Sequence, residues 1–186
     1  MLTGRSIAVC LAVALCGTAA TAATHDFNGT PVDIEYWCGY GSSTSGTNEA
    51  VCVVDYADGN SFAFGYKWPG DETRTGYDML AAADLGGALE VDLSWWDDMG
   101  AFIDAIEYDG NTTTNWWAYW TSADGQSWDP PTVGMSGRTL SDGDWDGWSA
   151  AADFGSEPPA VPAPEPASMG LFLLAGVGLL RRRHRR

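Results

Sequence analysis

The stretch Asp142-Gly143-Asp144-Trp145-Asp146-Gly147 puts carboxylates at the first, third and fifth positions of a loop with glycine at the sixth, and Asp153 follows at the twelfth. That is the ligand spacing of a calcium loop, where hard carboxylate oxygens surround the ion. The same residues also fit a solvated acidic turn, since Gly155-Ser156-Glu157-Pro158 offers no helix to flank the loop. Catalysis has less to draw on. The two histidines are His25, near the start, and His184, in a terminal arginine block. A Ser-His-Asp, Cys-His or His-based zinc site inside the domain is thereby excluded. Carboxylate pairs such as Asp97-Asp98 and Asp104/Glu107 have the composition of a glycosidase site, but a chain with 25 acidic residues produces such pairs by chance. The expectation is a protein that is not an enzyme.

Ten tryptophans are the other resource. Trp68 and Trp95 sit in alternating strand-like runs and are expected in the core. Trp116-Trp117 is different, because neighbours in a strand point to opposite faces. One of the two must look away from the main core unless a second layer covers it. Trp116, Trp117, Tyr119 and Trp148 are therefore the candidate platform for a glycan or a flat ring, aromatic faces beside carboxylates being suited to that task. Structural packing is the alternative reading of the same four.

What positions these residues is one domain between two processed ends. Arg5, the apolar run Ile7 to Leu15 and Ala20-Thr21-Ala22 read as a secretory signal peptide over residues 1–22, cut between Ala22 and Ala23. Residues 23–154 then form the exported domain. Formal net charge is −16, and five of the nine basic residues fall in the last six positions. Only Lys67, Arg74 and Arg138 stand against the acids of the domain, so nucleic acid is excluded as a partner. Cys38 and Cys52 alone survive signal removal. In an exported protein they read as one disulfide closing the Gly39 to Asn48 loop, a bridge contributing about 3 kcal/mol in the chain-entropy account.

Within the domain, Val32 to Trp37 alternates as a half-buried strand does, and Ala50 to Tyr56 is dense enough to be central. Asp58-Gly59 predicts a hairpin into Phe62, Phe64, Tyr66 and Trp68, all on one face. Thr75 and Asp78 have capping-box spacing, opening a helix through Met79, Leu80, Ala82 and Ala83 that Gly86-Gly87 ends. Leu89 to Trp95 alternates as a strand. Ala101 to Tyr108 fits either a helical turn or a strand. Trp116 to Thr121, Gln126 to Trp128, Arg138 to Leu140 and Trp145 to Ser149 are predicted closing strands, and Pro/Ala/Glu composition beyond Phe154 predicts an extended linker. The order is α+β with antiparallel pairing and one main helix.

Two resemblances add to this. Residues 155–166 form a proline-rich spacer with Pro164-Glu165-Pro166, residues 167–180 an apolar run, and residues 181–186 a basic block that includes Arg181, Arg182 and Arg183. The run is shorter than the roughly 17–25 residues of a confident spanning helix, and the arginines favour the cytoplasmic side. This order resembles the PEP-CTERM sorting tail of Gram-negative bacteria; the alternative is an ordinary short anchor. The resemblance implies a pause in the inner membrane, cutting near Pro-Glu-Pro by an exosortase-type enzyme, and delivery to the cell surface or extracellular matrix. Separately, Gly76-Tyr77-Asp78-Met79-Leu80, Trp116-Trp117-Ala118-Tyr119-Trp120 and Leu140-Ser141-Asp142-Gly143-Asp144 resemble the transcobalamin-like β-grasp domain. That implies a small β-grasp-like fold and a corrinoid or another ligand.

Overall fold

The alternation of Phe62, Phe64, Tyr66 and Trp68 builds the centre of the molecule, a hairpin of β3 (Thr47–Asp55) and β4 (Ser61–Pro69) in antiparallel register with Cys52 opposite Phe64. The structure is a computed structural model that describes residues 23–40, 46–56, 59–86, 89–97, 99–151 and 157–163. Around the hairpin stand β1 (Ala23–Phe27), β2 (Thr30–Gly39), β7 (Trp116–Ser122) and β8 (Trp145–Ala151). Together they make a six-stranded sheet in the order β1-β2-β4-β3-β8-β7. The helix α1 (Gly76–Leu85) and a two-stranded ribbon of β5 (Leu89–Trp96) and β6 (Gly100–Tyr108) pack on one face of it. The domain is therefore β-rich α+β with a single short helix.

Each segment follows from its residues. Thr75 caps α1 by accepting from the Asp78 amide while the Asp78 carboxylate accepts from the Thr75 amide, a complete capping box. Met79, Leu80 and Ala83 are the buried stripe of the helix. Ala101 to Tyr108 resolves as strand β6, paired antiparallel to β5 with an irregularity between Asp92 and Leu93. Strand alternation splits the large sheet into two cores. Phe64, Tyr66, Trp68 and Trp148 meet the helix side. Val32, Ile34, Val51, Val53 and Trp145 meet the other side.

Several expectations need correction. Pairing is mixed, because β2 runs parallel to β4 and β3 parallel to β8. Strand β4 inserts between β2 and β3, and this removes the predicted disulfide. Neighbouring strands lie about 4.8 Å apart, so β2 and β3 are about 9.5 Å apart, beyond the roughly 7 Å that a Cα pair can bridge. Cys38 and Cys52 are both buried free thiols. The Cys38 thiol contacts the Gly65 carbonyl at 3.1 Å, and burial pushes its pKa up to about 12. Burial raises Cys52 as well.

Gln126 to Trp128 and Arg138 to Leu140 are not strands. Their neighbourhoods contribute isolated bridges, Thr121 with Asp129 and Thr75 with Thr139. His25, near the start of the chain, belongs to β1, with its ring 5.5 Å from that of Trp37. Trp95 is 62 % exposed rather than in the core. The stretch Glu157 to Ala163, expected as free linker, lies against the sheet. Its Pro162 carbonyl accepts from the Asp33 amide at 3.0 Å, its Ala160 amide donates to the Asp55 carboxylate at 2.8 Å, and Ser61 donates to the Ala160 carbonyl. Pro159 is buried, and Gly147 makes room for it: a methyl there would run into the Pro159 ring and the Trp128 indole.

Candidate functional site

Strands β7 and β8 pair with Tyr119 opposite Trp148 and Thr121 opposite Asp146. Alternation then sorts the aromatic set by face. Trp117, Tyr119, Asp146 and Trp148 turn toward the helix side, while Trp116, Trp120 and Trp145 turn the other way. Trp116 is the exposed member of the adjacent pair, at 64 %. It stands on the face opposite Tyr119 and Trp148, so the four candidate platform residues are not one surface. Trp148 is 1 % exposed and lies beneath Tyr119, the rings stacked at 5.2 Å and 15°. It supports the platform and does not itself face solvent.

On the helix side, β7 and the start of β6 leave a cleft of about 150 Å³ between them. Trp117 and Tyr119 form one wall, Met99, Ala101 and Ile103 the other, with Met135 and Trp148 also lining it. Trp117 packs edge-on to Tyr56 at 5.4 Å, and its buried indole N–H meets no acceptor among the described residues. The β6 wall was not legible from sequence. Its residues, Met99, Ala101 and Ile103, carry no signal but the apolar alternation of a strand that also fitted a helical turn.

Beneath the cleft lies a buried polar network. Tyr119 donates to one Asp146 oxygen at 2.7 Å, and Arg138 Nε donates to the other at 2.6 Å. Arg138 also reaches Asp144 at 3.2 Å. Gly76, the first residue of α1, stands against the Asp146 carboxylate and the Tyr119 hydroxyl, where a side chain would collide with both. The helix N-terminus thus adds favourable potential for the anion. Burial still dominates, holding the Asp146 carboxyl up at about 6 although Arg138 and Tyr119 pull it down. Burial, then the Asp146 charge, raises Tyr119 as well.

This arrangement replaces the predicted calcium loop. Strand β8 begins at Trp145, so Asp146 is a strand residue turned into the core and already matched by Arg138. Asp144 caps the turn by accepting from the Ser141 amide at 2.8 Å and pairs with Arg138. Asp142 accepts from the Glu49 amide at 2.8 Å. Asp144 and Asp146 thus share the Arg138 guanidinium while Asp142 serves the Glu49 amide, and among the described residues none of the acidic, histidine and cysteine side chains gather into a group able to hold a metal ion. Asp153 lies outside the described residues. Arg138, which holds the network together, was visible in sequence only as one of three bases in an acidic domain.

The fold thus defines a β-rich α+β domain with an aromatic cleft at one sheet edge. Its address comes from the residues that follow: 162–186 match the PEP-CTERM protein-sorting motif. This motif marks an exported protein for processing by an exosortase, an enzyme of the inner membrane. No curated protein and no solved structure matches the chain. The predicted signal cleavage at Ala22, the Pro164, Glu165 and Pro166 motif, the apolar run 167–180 expected as a sorting helix, and Arg181, Arg182 and Arg183 lie outside the described residues. Among those described, no helix is long and apolar enough to cross a membrane.

Proposed function

We propose that this chain is a non-enzymatic surface or extracellular-matrix protein, released from the inner membrane by cutting near Pro164-Glu165-Pro166. The observation that carries the reading is the sorting motif at residues 162–186, joined to a domain by a segment that is itself packed on the sheet. Intact-mass measurement of surface-released protein tests it. Loss of the residues beyond about Pro166 is expected, and a mature C-terminus at Arg186 overturns the proposal.

The aromatic cleft favours a second element, that the domain works by binding. The strand order β4-β3-β8-β7, with α1 following the β3–β4 hairpin and β8 returning parallel to β3, supports the reading of a β-grasp-like core. A corrinoid is the wrong size for this site. Pockets that enclose drug-sized ligands run to about 300–1,000 Å³, against about 150 Å³ here. The cleft has room for a single side chain or ring of a partner, held between Trp117 and the β6 wall.

A further inference from the structure

We propose that the open edge of β7, with the cleft beside it, takes up an extended cationic polypeptide segment as an added strand. This deepens the binding role given to the cleft above and rests on it. The main-chain N–H and C=O of Thr121 both bond to Asp129, each at 2.9 Å, on the side of β7 away from β8. Main-chain direction alternates along an antiparallel strand, so Trp117 and Tyr119 turn their N–H and C=O to that same side. Among the described residues neither makes a main-chain bond there, and β6, across the cleft, forms no ladder with β7. The chain's own Asp129 demonstrates that this edge accepts a partner.

The cleft's chemistry selects the occupant. Met99, Ala101, Ile103 and Met135 offer no side-chain donors or acceptors for sugar hydroxyls, which would be left unpaired at a cost. A peptide strand instead brings its own donor and acceptor at every second residue, matched to Trp117 and Tyr119. Charge then chooses among peptides. The basic side chains of the described residues, Lys67, Arg74 and Arg138, are all paired to carboxylates within the domain. What remains exposed is acidic, which disfavours a second copy of this chain and favours a basic segment.

The test uses acetyl-Lys-Val-Lys-Phe-Lys-Val-Lys-amide on the exported protein, read by amide hydrogen exchange and tryptophan fluorescence. In the free protein, the Trp117 and Tyr119 amides should exchange at least about tenfold faster than those of Ala118 and Trp120, which face β8. The peptide should slow the first pair by about tenfold or more. N-methylation of one alternate set of its amides should abolish this, and methylation of the other set should not. A glutamate-for-lysine peptide should bind at least about tenfold more weakly. The strand proposal is overturned if Trp117 and Tyr119 are already protected in the free protein. It is equally overturned if both methylated peptides bind alike, or if no peptide slows the two amides. In that last case cellohexaose decides the broader reading: protection by the sugar keeps the cleft as a binding site for glycan, and silence toward both probes ends the binding role as well.

Discussion

Replacing Arg138 with methionine should be among the most damaging single changes in this domain. The substitution keeps an unbranched stem but strips the Asp146 carboxylate of the guanidinium 2.6 Å away. Asp146 has no exposed side-chain surface, and Arg138 has only 16 %. Removing one partner of a buried ion pair costs about 3–5 kcal/mol. Tyr119 remains as a donor to Asp146, and a hydrogen bond to a charged group retains about 1.5–3 kcal/mol, which places the expected loss near 3 kcal/mol. Against a total stability of about 5–15 kcal/mol that is severe. The pH dependence identifies the cause. Burial raises the Asp146 pKa from 3.8 to about 6, so folding takes up a proton between those values. The stability this raised pKa contributes is complete below the lower value and lost as pH rises through the upper one. Without Arg138 the pKa rises further, so the variant's deficit should be largest at neutral pH and shrink in acid. Urea unfolding, followed by tryptophan fluorescence at pH 7.5 and pH 4.5, measures both. The double variant R138M/D146N should recover most of the loss. A deficit under about 1 kcal/mol at neutral pH, or one that grows in acid, would refute the reasoning.

Three other outcomes are expected. Alkylation without reductant should label neither Cys38 nor Cys52 in native exported protein and both after unfolding; absence of label in the unfolded state would restore the disulfide. Trp116→Ala should cost under about 1 kcal/mol, as surface changes do, whereas Trp148→Ala should cost about 3–5 kcal/mol; equal losses on denaturant titration would contradict the face assignment. Gly147→Ala should dislodge the Pro159 segment, read as new proteolytic cleavage within residues 157–163 while the rest of the domain stays resistant. An unchanged digest would mean that the segment tolerates the methyl.

Local features were legible in the sequence because they are set by neighbours in the chain. Phe62 to Trp68 alternates, so β4 was visible; Thr75 and Asp78 lie one helical turn apart, so the start of α1 was visible too. The sorting tail is linear and needs no fold to be read. What was not legible depends on partners far along the chain. Nothing in Cys38 or Cys52 reveals that β4 comes between their strands. Trp95 has the parity of an inward residue, yet it lies near the turn end of the ribbon, where it meets the Tyr77 ring edge-on at 5.8 Å and remains largely exposed. Asp146 carries loop spacing in sequence, and only the pairing of β8 with β3 and β7 turns it into the core. The candidate site was half visible for the same reason: Trp117 and Tyr119 announce themselves within one strand, while Met99, Ile103 and Met135 join them only after folding.

The packing of residues 157–163 has a mechanical consequence. A pull applied to the chain beyond Ala163 reaches the Asp33–Pro162 bond first, then the Ala160 contacts with Asp55 and Ser61, and then the Ser149 hydroxyl bonded to the Glu157 carbonyl at 2.7 Å. These yield one after another, by peeling. Only after they have gone does load fall on β8, which is held between β3 and β7 and must break its two ladders together. Tension entering from the C-terminal side is therefore spent first on a short, re-formable fastening outside the sheet, and the six strands behind it keep their register.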